Sequence, residues 1–355
     1  MADKTGIEWT DATWNPVAGC SIISPGCTNC YAMKMGARLA AMGVPLYAGL
    51  TQPSKAGPVW TGIMRLAGEK QLTQPMRWKK PRRIFVNSMS DLFHKDVRNE
   101  WIDKVFAVAA LASQHTLQIL TKRSDGMRDW FLGRSGPAHL VDMSRAFAPA
   151  TMPMTAHEIS VRLCPGISPQ ARALYHAPEP VWPLPNVWLG VSVENRAALY
   201  RIDDLRATPA AKRFLSIEPL LEDLGEIDLA GIDWVIAGGE SGPAARPMHP
   251  DWVRNVRDQC AVAGVPFFFK QWGEWLPDYE EATNRPDDHP EQSRFKTCVW
   301  DSDEGAWDET NGHWADGDHW YIADSYYEPE QPMTRVGKHA AGAMLDGIEH
   351  KVFPA

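Results

Sequence analysis

The stretch "RIFVNSMSDLFHKDVRNEWIDKVFAVAALASQHTLQILTKR", residues 83 to 123, decides the fold. It opens on a short apolar run, passes through a segment with helical spacing, and closes on a second apolar run. Within "NEWIDKVFAVAALAS", Trp101, Ile102, Val105, Phe106, Ala109 and Ala112 fall along one stripe, as on a helix with one apolar face. Runs as apolar as "RIFVNS" and "TLQILTKR" suit strands covered on both faces, as in a parallel sheet. Strand, helix and strand in that order form a βαβ unit with a right-handed crossover.

The same alternation extends outward in both directions. "TWNPVAG" (13 to 19) precedes the unit, and "NVWLGVSVE" (186 to 194), "KRFLSIEPL" (212 to 220), "IDWVIAGGES" (232 to 241) and "VPFFFKQW" (265 to 272) follow it. "PDWVRNVRDQCAVAG" (250 to 264) starts at a proline and an acid and stops at a glycine, as helices do. About seven strands alternating with helices predict an α/β fold, a parallel (βα) barrel, full or partial. Polar residues close each strand after the first: "SMSD", "TKR", "SVEN", "SIEP", "GGESG" and "KQWGE". Sites in such barrels are built at the carboxyl ends of the strands, so these tails are expected to share one mouth. The competing reading of Glu194, Glu218 and Glu240 is an ion-pair network with Lys122, Arg123 and Lys270.

Two stretches break the repeat. Residues 133–185 are rich in Pro, Ala, Gly and Met and read as a lid-like insertion or a surface excursion. Residues 277–331 are acidic and Trp-rich, with "DEG", "NG" and "DG" turns between alternating runs, and read as a small β appendage with its tryptophans packed inward. The predicted division is therefore a barrel core over 1–276, the appendage over 277–331, and a C-terminal helix over 332–355 returning to the barrel. From Pro277 to Glu330 there are sixteen acids against three Lys and Arg, a local charge of −13 in a chain of −8. The remainder is mildly basic, at about +5, which is compatible with a polyanionic partner. "RWKKPRR" (77 to 83) reads as a solvated basic turn ahead of a strand, with a nucleic-acid groove contact as the alternative.

The chain has 355 residues, and 44% of them are hydrophobic. No stretch approaches the roughly 18 uninterrupted apolar residues of a membrane span. No signal-type leader opens the sequence, so a cytoplasmic protein without a membrane partner is expected. Six cysteines in such a chain are sparse, and three cluster in "CSIISPGCTNCY" (20 to 31) at spacing C-x6-C-x2-C. That clustering opposes a disulfide framework and favours a metal role in a reducing compartment. Structural zinc needs a fourth donor brought from afar, such as Cys164, Cys298 or a histidine. A [4Fe-4S] cluster can be held by three cysteines with one iron open to another ligand. Cys260 lies with Val253 and Val256 on an apolar helical stripe and reads as core.

"CSIISPGCTNCYA" behind the first strand resembles the cluster loop of radical S-adenosylmethionine (SAM) proteins, and its "CY" resembles the spore photoproduct lyase branch. More closely, "GIEWTDATWNPVAGC", "SMSDLFH", "LTKR", "SIEPLL", "GGESGPAARPMHPDWVR", "FFFKQWG" and "VGKHAAGAMLDG" are similar to the phage gene-product-thirty-seven/sixty-eight family of three-Cys-motif proteins, whose function is undefined. The loop has three more residues than the C-x3-C-x2-C of most radical SAM proteins. The resemblance implies a radical-SAM-like fold in which Cys20, Cys27 and Cys30 ligate a [4Fe-4S] cluster and SAM chelates the open iron. It implies Ser88, Ser90 and Asp91 for the methionine amine. Lys122, Ser192, Glu194 and Asn195 follow for the carboxylate and ribose, with Glu218, Gly238, Gly239 and Glu240 around the ligand. It further implies a one-electron reductant as partner and SAM cleavage to a 5′-deoxyadenosyl radical, with nucleic acid as the candidate substrate to be modified or repaired. The alternative is a non-catalytic protein, stabilised by zinc or a cluster, that acts through a partner protein.

Overall fold

The computed structural model describes residues 5–133, 182–277, 297–301, 305–308, 314–316, 319–322, 325–326 and 333–354. One sheet takes its strands in sequence order: β1 (Ala12–Trp14), β2 (Arg83–Val86), β3 (Thr116–Thr121), β4 (Val187–Ser192), β5 (Lys212–Ile217), β6 (Trp234–Gly238) and β7 (Phe267–Gln271). The pairs β1/β2, β2/β3, β3/β4, β4/β5 and β6/β7 are parallel. The order runs from β1 at one end to β7 at the other, which makes this the partial form of the expected (βα) barrel. Burial explains the composition: every residue of β6 is buried, and β2 is buried from Ile84 onward.

The chain divides into two compact units. The first comprises Met1–Val193, Ala198–Ser216 and Gly231–Asp233, and the second Glu194–Ala197, Ile217–Ala230 and Trp234–Ala355. The first unit carries helices α1 (Tyr31–Ala41), α2 (Asn99–Leu111), α3 (Ser124–Leu132) and α4 (Tyr200–Ala207). In α2, Ile102, Val105, Phe106 and Ala109 are buried as the stripe requires, whereas Ala112 is the C-cap and no longer helical. Phe106 stacks on Trp130 of α3 with ring centroids 4.7 Å apart. The second unit carries α5 (Pro250–Ala263), which starts at Pro250 behind the N-cap His249 and ends at Gly264, whose φ of 67° is left-handed. Cys260 of α5 is buried, as its apolar stripe requires.

Two local expectations change. "TWNPVAG" does not continue as one strand: only Ala12–Trp14 joins the sheet, and Val17–Ala18 pairs antiparallel with Arg65–Leu66. Pro16 has no N–H to extend a ladder, so the chain turns there. The stretch expected as a C-terminal helix forms a strand (Met333–Arg335), one helical turn (Lys338–Ala341) and a two-stranded ladder of Met344–Leu345 with Ile348–Glu349. Gly337, Gly342, Asp346 and Gly347 have φ between 51° and 87°, which no right-handed helix accommodates. The segment still reaches the second unit's sheet strand as extended chain, with Lys351 bridging Phe268 antiparallel.

In the acidic region, Thr297–Asp301 pairs antiparallel with Ala306–Asp308, and Trp314–Asp316 with His319–Ile322, on either side of the expected "DEG" and "DG" turns. Trp300 and Trp307 pack on Trp252 of α5, with centroids 4.9 and 6.0 Å away, so these two tryptophans turn inward. The expected "NG" turn, the side chains of Trp314 and Trp320, and residues 134–181 of the expected insertion lie outside the described residues.

Candidate functional site

The cysteine loop is fixed at both ends by backbone. Before it, Gly19 bridges Ser90 beyond β2, and its φ of 97° is one that favours glycine. A Cβ on Gly19 would lie 2.1 Å from the Ile63 carbonyl oxygen. After it, Pro25–Cys27 forms a 3-10 turn and Cys30 becomes the N-cap of α1. Cys20 and Cys30 pack against a buried cluster of Ala18, Ala32, Met33, Tyr47, Leu50, Trp60 and Met89. That packing desolvates the sulfurs: burial, reinforced by the charge of Asp91, pushes the Cys20 thiol up to about 12. Burial also raises Cys30, against the pull of the Ala32 and Met33 amides and of Lys122. No first-turn N–H makes a cap hydrogen bond of standard geometry to Cys30 Sγ, so those amides act as dipoles rather than as a formal cap. Cys27 lies within electrostatic reach of both other thiols.

The ends of β2 and β3 converge on this loop through one buried ion pair. Arg123 Nη1 donates to Asp91 Oδ2 at 2.9 Å and approaches Cys20 Sγ at 3.7 Å. Its Nη2 donates to both the carbonyl and the hydroxyl oxygen of Ser21 at 2.9 Å. Asp91 also accepts from Thr121 Oγ1 at 2.7 Å, and from the backbone N–H groups of Phe93 and Lys122 at 3.1 Å. The Asp91 carboxylate thus serves four donors of the chain itself. Within the chain, Asp91 therefore positions Arg123.

Ser88 and Ser90 are likewise engaged inward, Ser88 Oγ donating to Asn15 Oδ1 and Ser90 Oγ to the Val17 carbonyl. Tyr31, the tyrosine of "CY", donates its hydroxyl to the Ser88 carbonyl at 2.9 Å. Lys122 lies near enough to Cys30 to lower its thiol, which brings a second cation to the loop. Ser192, at the end of β4, is buried, and its carbonyl accepts from Arg201 Nη1.

Sequence reasoning missed three participants. Arg123 appeared only as a member of a competing network, although "LTKR" supplies three of the four donors on Asp91. Ser21 lies inside the cysteine motif, and its hydroxyl is 2.7 Å from His94 Nε2. Asn87 holds a φ of 61° while buried, and its Oδ1 accepts from the Val17 N–H. Its side-chain nitrogen makes no hydrogen bond among the described residues.

The remaining expected residues belong to the second unit. Glu240 is held bidentately by Arg246, at 2.9 Å from Nε and 2.7 Å from Nη2. Glu218 pairs with Lys270 at 2.9 Å, the pairing that the ion-pair reading anticipates. At Gly239 the backbone of Trp272 approaches closely, since a Cβ there would lie 1.9 Å from the Trp272 carbonyl oxygen. At Gly238 a Cβ would meet Glu218 Oε1 at 3.0 Å. Glu194 is fully buried and its carbonyl accepts from the Leu221 N–H, while Asn195 is half-buried.

The fold and this loop define a partial (βα) barrel protein with three free thiols at the carboxyl end of its first strand. The chain belongs to the DUF5131 family, described as proteins of unknown function, whose model matches residues 4–354. No curated protein matches it. Among solved structures it is similar to spore photoproduct lyase complexed with dinucleoside spore photoproduct, at 11% identity and a TM-score of 0.31. That match covers 80% of this chain and 64% of the other. No helix among the described residues is long and apolar enough to cross a membrane.

Among the described residues, no group of three or more His, Cys, Asp and Glu side chains is placed so that it could hold a metal ion. The fit to an iron–sulfur group rests on donor chemistry. Three free sulfurs stand half-buried on one loop, Cys27 is electrostatically coupled to the other two, and two cations stand beside them. Thiolates bind iron, and adjacent cations offset the negative charge that thiolates and cluster bring.

Proposed function

We propose that this protein binds a [4Fe-4S] cluster through Cys20, Cys27 and Cys30 and is a SAM-dependent enzyme of the radical type. The observation that carries the reading is the pairing of a three-thiol loop, which lacks a fourth cysteine, with Arg123 beside Cys20 and Lys122 beside Cys30. A [4Fe-4S] cluster held by Cys20, Cys27 and Cys30 would, once reduced, supply one-electron chemistry to a bound sulfonium. The chain's own part is to release the thiol protons from Cys20 and Cys30 and hold the loop against β2 and β3. The Asp91–Arg123 pair does the holding, and the Lys122 ammonium is suited to a ligand carboxylate. Kinship with the phage three-Cys-motif proteins, an external one-electron donor and nucleic acid as substrate belong to the same proposal. A zinc-stabilised binding protein is the second reading, and it needs a fourth donor. Of the expected donors, Cys164 lies outside the described residues, Cys298 is buried, and a histidine is represented at the loop by His94, whose Nε2 is 2.7 Å from Ser21 Oγ.

Anaerobic reconstitution with iron and sulfide tests the reading. The wild-type protein is expected to turn brown and hold iron and sulfide in equal amounts, and Cys27→Ala to stay colourless. A colourless wild-type protein carrying stoichiometric zinc sinks it.

A further inference from the structure

Beside the cysteine loop, the first unit has a cleft of about 580 Å³ that the proposed cluster chemistry does not use. Its polar lining comes from Ser21, Thr61, His94, Lys95, Asp96 and Arg98, and Ile63, Met64 and Trp101 form apolar wall. The volume lies within the range of small-molecule sites. Hydrogen-bond chemistry fixes what such a cleft accepts. The backbone N–H of Asp96 donates to His94 Nδ1 at 3.2 Å, so Nδ1 carries a lone pair and the ring proton sits on Nε2. Burial, ahead of the nearby Arg123, lowers His94 below its ordinary value, in line with the neutral ring that this hydrogen bond requires. His94 Nε2–H then donates to Ser21 Oγ, which also accepts from Arg123 Nη2. With both acceptor positions taken, the Ser21 hydroxyl can only donate its own proton. This arrangement is the reverse of a nucleophile–base pair, in which the histidine accepts from the serine.

The cleft therefore offers the Ser21 hydroxyl, the Lys95 ammonium and the Arg98 guanidinium as donors, against the single carboxylate of Asp96. Arg98 lies 5.8 Å from the Trp101 ring centroid, so a cation and an aromatic surface stand side by side on one wall. A ligand that suits both is a flat ring carrying a phosphate: the ring against Trp101 or the guanidinium plane, the phosphate oxygens toward the donors.

We propose that this cleft binds a phosphorylated nucleoside, either free or within a single-stranded oligonucleotide. The inference deepens the nucleic-acid part of the proposed function, and because it is tested without iron and sulfide its failure is distinguishable from failure of the cluster reading. The test is calorimetric titration of the full-length protein as purified, without reconstitution, with adenosine 5′-monophosphate, adenosine, and a short single-stranded oligonucleotide. Saturable binding of the monophosphate or the oligonucleotide is expected, weakened roughly tenfold or more by Arg98→Ala and by Lys95→Ala. It is also expected to weaken with added salt. Both side chains are exposed, so the variants are expected to melt with the wild type. A preference for the oligonucleotide identifies the polymer as the source of the ligand, and equal or better binding of the monophosphate identifies the free nucleotide. Absence of saturable binding by both overturns the proposal, as does adenosine binding as tightly as its monophosphate or unchanged affinity in Arg98→Ala.

Discussion

The ends of β2 and β3 and the end of β6 carry similar strings, "SMSD" with "LTKR" and "GGESG", yet they are built to different purposes. In the first, Asp91 fixes Arg123, and Arg123 still reaches a sulfur and a serine of the cysteine loop. In the second, Glu240 spends both oxygens on Arg246, and Gly239 makes room for the Trp272 carbonyl. One cluster orients groups beyond itself; the other closes a loop on itself. A polar strand end is thus not a site until its partners are counted.

The contrast can be broken by mutation. Arg123→Met leaves Asp91 buried without its cation, since both side chains are at most 10% exposed. A loss of about 3–5 kcal/mol is expected in chemical denaturation. Arg246→Met leaves Glu240, 7% exposed, equally without its cation, and should cost a similar amount, about 3–5 kcal/mol. It should leave iron loading per folded chain unchanged, however, whereas Arg123→Met should lower it. Equal iron loading in the two variants would erase the distinction.

The next largest effect is at the glycines. Gly19→Ala and Gly239→Ala each force a Cβ onto a carbonyl oxygen, at 2.1 and 1.9 Å, and each is expected to cost about 1–3 kcal/mol. Their consequences should diverge. Gly19→Ala displaces the loop at Cys20 and lowers iron loading per folded chain, whereas Gly239→Ala leaves loading unchanged.

The smallest effect is in alkali. The Cys20 thiol is pushed up to about 12 from an ordinary 9.0, so the unfolded chain loses this proton first as pH rises. Metal-free stability attributable to the neutral thiol is present below pH 9 and falls as pH rises toward 12. Between about pH 8 and pH 10 the wild type should lose about 1 kcal/mol more than Cys20→Ser in denaturant titrations. Parallel curves for the two proteins would show that burial does not hold the proton.

Much of the fold was legible because burial on both faces leaves a plain signature. Runs such as "RIFV" and "WVIAG" can be little other than central parallel strands, and Pro250 and Gly264 mark the ends of α5. The C-terminal helix was misjudged because local composition around "KHAAGAML" suits a helix, whereas the φ values of Gly337, Gly342 and Gly347 depend on tertiary context. Within the loop, spacing alone singles out the three thiols on which the proposal rests. The role of Asp91 was not, since a free acceptor and one already serving four donors are spelled the same way. Arg123 and His94 act through partners far away in sequence, as with the separation of 102 positions from Ser21 to Arg123, and no periodicity reports that.

The most direct measurement is the release of 5′-deoxyadenosine when the reconstituted protein is reduced with SAM present. The account predicts release from the wild type and none from Cys27→Ala. A wild-type protein that loads iron and sulfide, accepts the electron and returns SAM intact would contradict it.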